Sequence, residues 1–250
     1  MRIFQNLIIL MFAIFLLACT EESAYVPVVD AIAIERIPES GTHVVHHGET
    51  LYSIAWRYGL DYRQLARRNG LTSPYYVRSG ELLYLNTTAP VATRTANKAV
   101  MAPTPVLSAI FSPEINADNY FATAKEPQAA VGTWAWPARG NIIGEFSSLN
   151  KGINISGAAG APIYAAAAGK VVYSGNGLRG YGNLLIIKHN STFLTAYAHN
   201  QKNLVVEGQW VKIGQVIAEM GDTGSRRVML HFEIRVSGQP VNPLLYLDKR

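Results

Sequence analysis

The chain has 250 residues, a net charge of +5 and a single cysteine, which excludes an intrachain disulfide, a thiolate metal cluster and more than two full-sized domains. Apolar residues make up 49% and charged ones 16%, so most of the chain can pack a core and composition does not make it disordered. No apolar stretch reaches the ~18 residues that a membrane-spanning helix needs, which excludes a polytopic membrane protein.

Residues 1–18 read as an export signal. Arg2 precedes an apolar run from Leu7 to Ala18, long enough for a signal peptide and too short to span a bilayer. Its ending, Leu16-Leu17-Ala18-Cys19, resembles a bacterial lipobox. The resemblance implies cleavage before Cys19, diacylation of its thiol and acylation of the new amine, and several acyl chains anchor stably where one would be marginal. Thr20, rather than Asp, follows the cysteine. In lipoproteins of Gram-negative bacteria that points to the outer membrane. Residues 19–40 read as an acidic tether.

Residues 41–86 read as a small βααβ unit. His43-Val44-Val45-His46 has strand character. Thr50 can cap a helix whose apolar positions Leu51, Ile54, Ala55 and Tyr58 follow the helical repeat. Gly59 ends it. Asp61 caps a second helix with Gln64 as its capping-box partner, and Asn69-Gly70 closes that helix in left-handed fashion. Glu81–Leu85 is the closing strand. This layout, with His47-Gly48-Glu49-Thr50-Leu51-Tyr52-Ser53-Ile54-Ala55 and Arg78-Ser79-Gly80-Glu81-x-Leu83, resembles a LysM module. The resemblance implies binding to the N-acetylglucosamine-containing glycan of peptidoglycan or chitin. The groove would lie between Gly48, Thr50 and Leu51 on one side and Asn69 to Tyr76 on the other. Leu71 belongs to the second side, and Tyr75 or Tyr76 would stack on a sugar face. Both tyrosines could instead pack against the second helix, since buried tyrosines are common.

Residues 87–130 break the chain into two modules. Prolines 90, 103, 105, 113 and 127 prevent a long helix there, and the abundance of Ala, Thr and Pro favours an extended or mobile linker. Residues 131–250 carry twelve Lys/Arg against six acids, a balance that suits an acidic partner or an anionic envelope polymer. Basic runs of five or six residues are absent and the chain carries an export signal, so nucleic acid is not the expected partner. Strands are expected at Ile142–Phe146, Gly169–Ser174, Asn183–His189, Phe193–His199, Val216–Met220 and Met229–Val236, giving a mainly antiparallel β-sheet. Ala165–Ala168 is bracketed too closely by Pro162 and Gly169 for a helix.

Alternation along three segments separates faces. Leu230, Phe232 and Ile234 form a core face, opposite Met229, His231, Glu233 and Arg235. Leu194, Ala196 and Ala198 alternate with Thr195, Tyr197 and His199, and Ile153 and Ile155 alternate with Asn154 and Ser156. The three polar faces suggest one shared groove, although an antiparallel sheet commonly has one solvated face.

Asn150-Lys151-Gly152-Ile153-Asn154-Ile155, Tyr181-Gly182-Asn183, Tyr197-Ala198-His199 and Leu230-His231-Phe232-Glu233-Ile234-Arg235 resemble the lysostaphin/LytM-type zinc endopeptidases of peptidoglycan. The resemblance places zinc-ligand positions at Asn150, Asn154 and His231 and two catalytic positions at His199 and Met229. Catalytic zinc needs three protein ligands and an open water position, and three of these five positions have lost the required chemistry. A non-enzymatic chain without metal or cofactor is therefore expected. The order of lipobox, LysM, linker and degenerate LytM module resembles the outer-membrane lipoproteins that activate murein hydrolases. This implies an activator of a periplasmic N-acetylmuramoyl-L-alanine amidase in daughter-cell separation, with peptidoglycan, the amidase and the outer membrane as partners. The expected amidase-docking groove is Lys151, Asn154, Tyr181, Tyr197, His199, His231 and Arg235. Two other readings stand beside it: a divergent zinc endopeptidase, and a purely structural tether between outer membrane and cell wall.

Overall fold

The computed structural model describes residues 34–86 and 134–249. Cys19, the export signal, most of the acidic tether and the linker 87–130 lie outside the described residues. In the N-terminal module β1 (Thr42–Val44) leads through α1 (Leu51–Tyr58) and α2 (Tyr62–Arg68) to β2 (Leu82–Tyr84). β2 pairs antiparallel with β1, the βααβ layout expected. Thr50 caps α1 in a reciprocal box with Ser53, each side chain taking the other's backbone N–H. Gly59 ends α1 at φ 63°. Asp61 caps α2 through the Arg63 N–H, and Arg63 Nε adds a second bond at 3.0 Å. The expected box partner, Gln64, is exposed.

A helix of eight residues is too short to hold on propensity alone and depends on tertiary packing. Leu51, Ile54 and Ala55 are buried, as their spacing implied, but Trp56 off that stripe is only 2% exposed. α1 is therefore covered on two sides, and the second cover is the C-terminal module.

That module is one ten-stranded antiparallel sheet. Its strands are β3 (Ile142–Gly144), β4 (Ile153–Ser156), β5 (Pro162–Tyr164), β6 (Gly169–Gly175), β7 (Asn183–Lys188), β8 (Phe193–Asn203), β9 (Trp210–Val211), β10 (Val216–Met220), β11 (Met229–Val236) and β12 (Gln239–Val241). The order runs β3-β4-β11-β8-β7-β6-β9; β10 joins β5 to β8, and β12 pairs with β11. Leu230, Phe232 and Ile234 face the core with Ile153, Ile155, Leu185 and Ile187.

The register corrects one expected face. Phe232 stands opposite Tyr197 and Ile234 opposite Thr195, and directly opposed residues share a face. Thr195 and Tyr197 therefore point into the core. Ala198, Ala196 and Leu194 stand opposite His231, Glu233 and Arg235, so the polar row of β11 lies beside small apolar side chains. His199 escapes the alternation because its backbone turns left-handed, at φ 64°, and its ring comes 6.1 Å from that of His231.

This second face of the sheet is not solvated. Val172, Leu184, Ile186, Leu194, Ala196 and Ala198 share one buried cluster with Trp56, Tyr58 and Tyr62 of the N-terminal module. Polar contacts fasten the edges of the seam: Arg57 donates to Gly177 O at 3.2 Å, Arg63 to Ser237 Oγ at 3.1 Å and Gln239 Nε2 to Gly59 O at 2.9 Å. The β11–β12 turn carries Gly238 at φ 85°, where a Cβ would sit 2.4 Å from Leu60 O. Only glycine lets the two backbones approach this closely.

Candidate functional site

The polar row of β11 forms a closed network. Glu233 is fully buried. Its Oε1 accepts from Tyr181 Oη at 2.7 Å and from His231 Nε2 at 3.2 Å, while Oε2 accepts from Arg235 Nε at 2.9 Å. Burial alone would raise the Glu233 carboxyl; the adjacent Arg235 charge and the bonds from His231 and Tyr181 outweigh it and hold the group below the usual carboxylate range. The same burial, with Glu233 beside it, pushes the Tyr181 hydroxyl well above its ordinary value. The N-terminal module completes the network. Arg235 NH1 donates to Trp56 O at 2.7 Å, its guanidinium carbon lies 3.7 Å from the centre of the Trp56 ring, and Trp56 Nε1 donates to Tyr181 Oη at 3.0 Å.

Asn154 stands opposite His231, with Oδ1 2.7 Å from Nδ1. The Asn154 amide oxygen faces one ring nitrogen and the Glu233 carboxylate the other, so both nitrogens of His231 are engaged. His199 Nδ1 lies 2.9 Å from Thr223 O. Asn150 is a turn residue: its Nδ2 donates to Glu145 O and Gly152 O, each at 2.9 Å. Met229 is buried and offers a thioether. Two neutral amides held in hydrogen bonds, one imidazole engaged at both nitrogens and a thioether do not make the three-ligand set of a catalytic zinc. This donor set does not fit the metal.

The structure thus brings Asn154, Tyr181, His199, His231 and Arg235 together and separates Tyr197 from them. The Tyr197 hydroxyl accepts from Ala166 N at 2.9 Å and lies 3.2 Å from the Thr195 hydroxyl in the core, and burial pushes it up to about 12. Lys151, at φ 57°, is half-buried in the turn before β4. The row is also not an open groove. Tyr181, His199, His231 and Arg235 are all buried, and Trp56 of α1 covers Arg235 and Tyr181. Glu233 and Trp56 complete the network without having been candidates. Glu233 was visible on the polar face of β11, and Trp56 was detectable as a large aromatic off the apolar stripe of a short helix.

In the N-terminal module, Leu51 is core and Asn69 bonds backbone only, with Nδ2 donating to Leu65 O and Tyr84 O and Oδ1 accepting from Tyr84 N. Gly48 is exposed, Leu71 half-buried and Tyr76 81% exposed. Tyr75 packs edge-on against Tyr52 and Tyr62. The Thr50 hydroxyl donates to Val172 O at 3.2 Å, across the seam. Among the described residues His43, His46 and Glu49 could converge on a cation. Glu49 is already taken: Arg57 lies 2.6 Å from one oxygen, and His43 and the His46 N–H bond the other.

Two family descriptions match the chain: "LysM domain" over residues 43–86 and "Peptidase family M23" over residues 148–243. The chain is 47% identical to "Lipoprotein NlpD/LppB homolog" of Pseudomonas aeruginosa, an alignment covering 87% of this chain and 81% of that protein. The chain belongs to the NlpD family of lipoproteins. A second NlpD relative, "Murein hydrolase activator NlpD" of Escherichia coli, is 38% identical over 84% of this chain and 68% of its own length. "Outer membrane antigenic lipoprotein B" of Haemophilus influenzae is 38% identical over 84% of this chain and 65% of that protein. Among solved structures, a putative peptidase M23 from Pseudomonas aeruginosa is 28% identical over 44% of this chain and 50% of that one, with a TM-score of 0.39. This member of the NlpD family thus joins a LysM module to a mainly antiparallel M23-type sheet.

Proposed function

We propose that the chain is a non-enzymatic activator of a periplasmic N-acetylmuramoyl-L-alanine amidase. It promotes septal peptidoglycan splitting, held at the outer membrane by lipid on Cys19 and at peptidoglycan by the LysM module. The observation that carries this reading is a peptidase sheet retained intact around a donor set unsuited to zinc: Asn150 and Asn154 held in hydrogen bonds, Met229 a thioether, and His231 engaged on both nitrogens. The NlpD relatives named as murein hydrolase activators support it. So does the LysM match, since peptidoglycan binding puts an activator where its hydrolase works.

The docking face is Lys151, Asn154, Tyr181, His199, His231 and Arg235; Tyr197 is withdrawn to the core. Arginine and tyrosine are frequent interface hot spots. Docking activates by favouring the amidase conformer with an open active site. A tenfold shift in that ratio requires about 1.4 kcal/mol of differential binding. Dye release from labelled sacculi by purified amidase tests this. Addition of the chain should raise the rate, and Arg235→Ala should lose the increase. An unchanged rate at saturating chain, across periplasmic amidases, would leave the tether reading in its place.

A further inference from the structure

Arg235 and Tyr181 of the face proposed to dock the amidase are covered by α1, and the residue that caps α1 is one of the few side-chain groups the expected LysM groove can offer a sugar. On the first loop of that groove Gly48 has no side chain and Leu51 is fully buried. The Thr50 hydroxyl remains, and it donates instead to Val172 O of β6. On the other side of the groove, Tyr75 packs against Tyr62, whose hydroxyl reaches Ser191 O at 3.5 Å. The Thr50 contact at the sugar-facing edge and the Trp56 contacts on Arg235 and Tyr181 of the docking face therefore belong to one seam, made by one short helix and its cap.

We propose that the N-terminal module is a lid on the docking face and that the glycan chain of peptidoglycan is the ligand that lifts it. The proposal rests on the docking reading for its consequence, activation confined to the wall. A ligand can shift such an equilibrium only by its differential affinity for the two states. A glycan that takes the Thr50 hydroxyl proton must displace Val172 O in the closed state and so binds the open state more tightly. Its apparent affinity in the intact chain is then reduced by the fraction of molecules that are open. The seam is extensive, with an indole stacked on Arg235 and the Trp56 carbonyl bonded to the same guanidinium, so the closed state dominates without ligand. Opening uncovers Arg235 and Tyr181 together, because the Trp56 ring, indole N–H and carbonyl that engage them all belong to α1.

Two substitutions outside the LysM module open the seam. Gly238→Asn tolerates the left-handed backbone of its turn but places a Cβ against Leu60 O. Val172→Asp puts a charge into the shared cluster. Each full-length chain, in detergent, is titrated calorimetrically with a soluble N-acetylglucosamine hexamer, and hydrogen exchange is followed over residues 176–182. The opened chains should bind the hexamer at least tenfold more tightly than the wild type, and saturating hexamer should raise exchange over 176–182 in the wild type to the level of the opened chains. Equal affinities, or exchange in the wild type that ignores the sugar, would overturn the proposal. No amidase enters these measurements. A chain that opens with sugar yet activates nothing would sink the activator reading alone, and one that activates amidase with sugar-independent exchange would sink the lid alone.

Discussion

Replacing Arg235 with leucine removes the cation from a buried carboxylate, and the structure fixes what is lost. Arg235 is 1% exposed. Its bonds to Glu233 at 2.9 Å, Trp56 O at 2.7 Å and Tyr181 Oη at 3.1 Å go, together with its stacking on Trp56. The Trp56 carbonyl keeps the Gly59 N–H at 3.2 Å, so the penalty falls mainly on Glu233, left with Tyr181 and His231. Removing one partner of a buried ion pair costs about 3–5 kcal/mol. Arg235→Leu should therefore destabilise the chain by about that amount at pH 7, read from urea unfolding followed by circular dichroism. The double variant Arg235→Leu/Glu233→Leu should cost about 1–3 kcal/mol less than the sum of the singles, because no orphaned charge remains.

The pH response separates this from simple loss of packing. In the wild type the Glu233 carboxyl is depressed, so its stabilisation is present above the ordinary carboxylate range and is lost as pH falls through the folded value. Without Arg235 the charge that opposes burial most strongly is gone, so the Glu233 carboxyl should rise and the variant should lose less stability than the wild type as pH falls. An Arg235→Leu cost under about 1 kcal/mol, or a double variant that is strictly additive, would refute the reasoning.

His189, buried with Nδ1 donating to Ala168 O and Nε2 beside the Thr195 hydroxyl, is pushed down by burial to about 4. Between about pH 6.5 and that value the unfolded chain binds a proton that the folded chain does not, so stability should fall by about 3 kcal/mol as pH drops through the window; thermal melts of His189→Gln should show a flatter profile. Metal analysis of the purified chain should find no stoichiometric zinc, and Asn150→His, Asn154→Asp and Met229→His together should recover measurable zinc; a molar equivalent in the wild type would contradict the site described above. Cys19→Ser should leave unprocessed precursor or soluble protein, and normal mass with normal outer-membrane fractionation would remove the lipid anchor from the account.

Much of the fold was legible because local rules govern it. The caps Thr50, Gly59 and Asp61 mark the two helices, and the alternation of Leu230, Phe232 and Ile234 marks the core face of β11. The faces of β8 were not legible, because alternation gives two faces without saying which is inward. Tyr197 looks polar by type, yet its hydroxyl finds Ala166 N–H inside the core. The left-handed backbone at His199 then breaks the alternation at the one position where it mattered for the site. The cover that Trp56 lays over the polar row of β11 was hidden for a different reason. Pairing of Trp56 with Arg235 and Tyr181 is a contact between residues more than a hundred positions apart, and no local pattern encodes it. Short strands such as β9 and β12 carry too few residues for a period to emerge.

The most direct test of the central claim is the chemistry of the products. Unlabelled sacculi are incubated with the chain alone, with a periplasmic amidase alone and with both, and the soluble fragments are identified by mass spectrometry. The account predicts no fragments from the chain alone, and stem peptides with a free L-alanine amino terminus that increase when both proteins are present. Fragments cut within the peptide cross-links by the chain alone would contradict it.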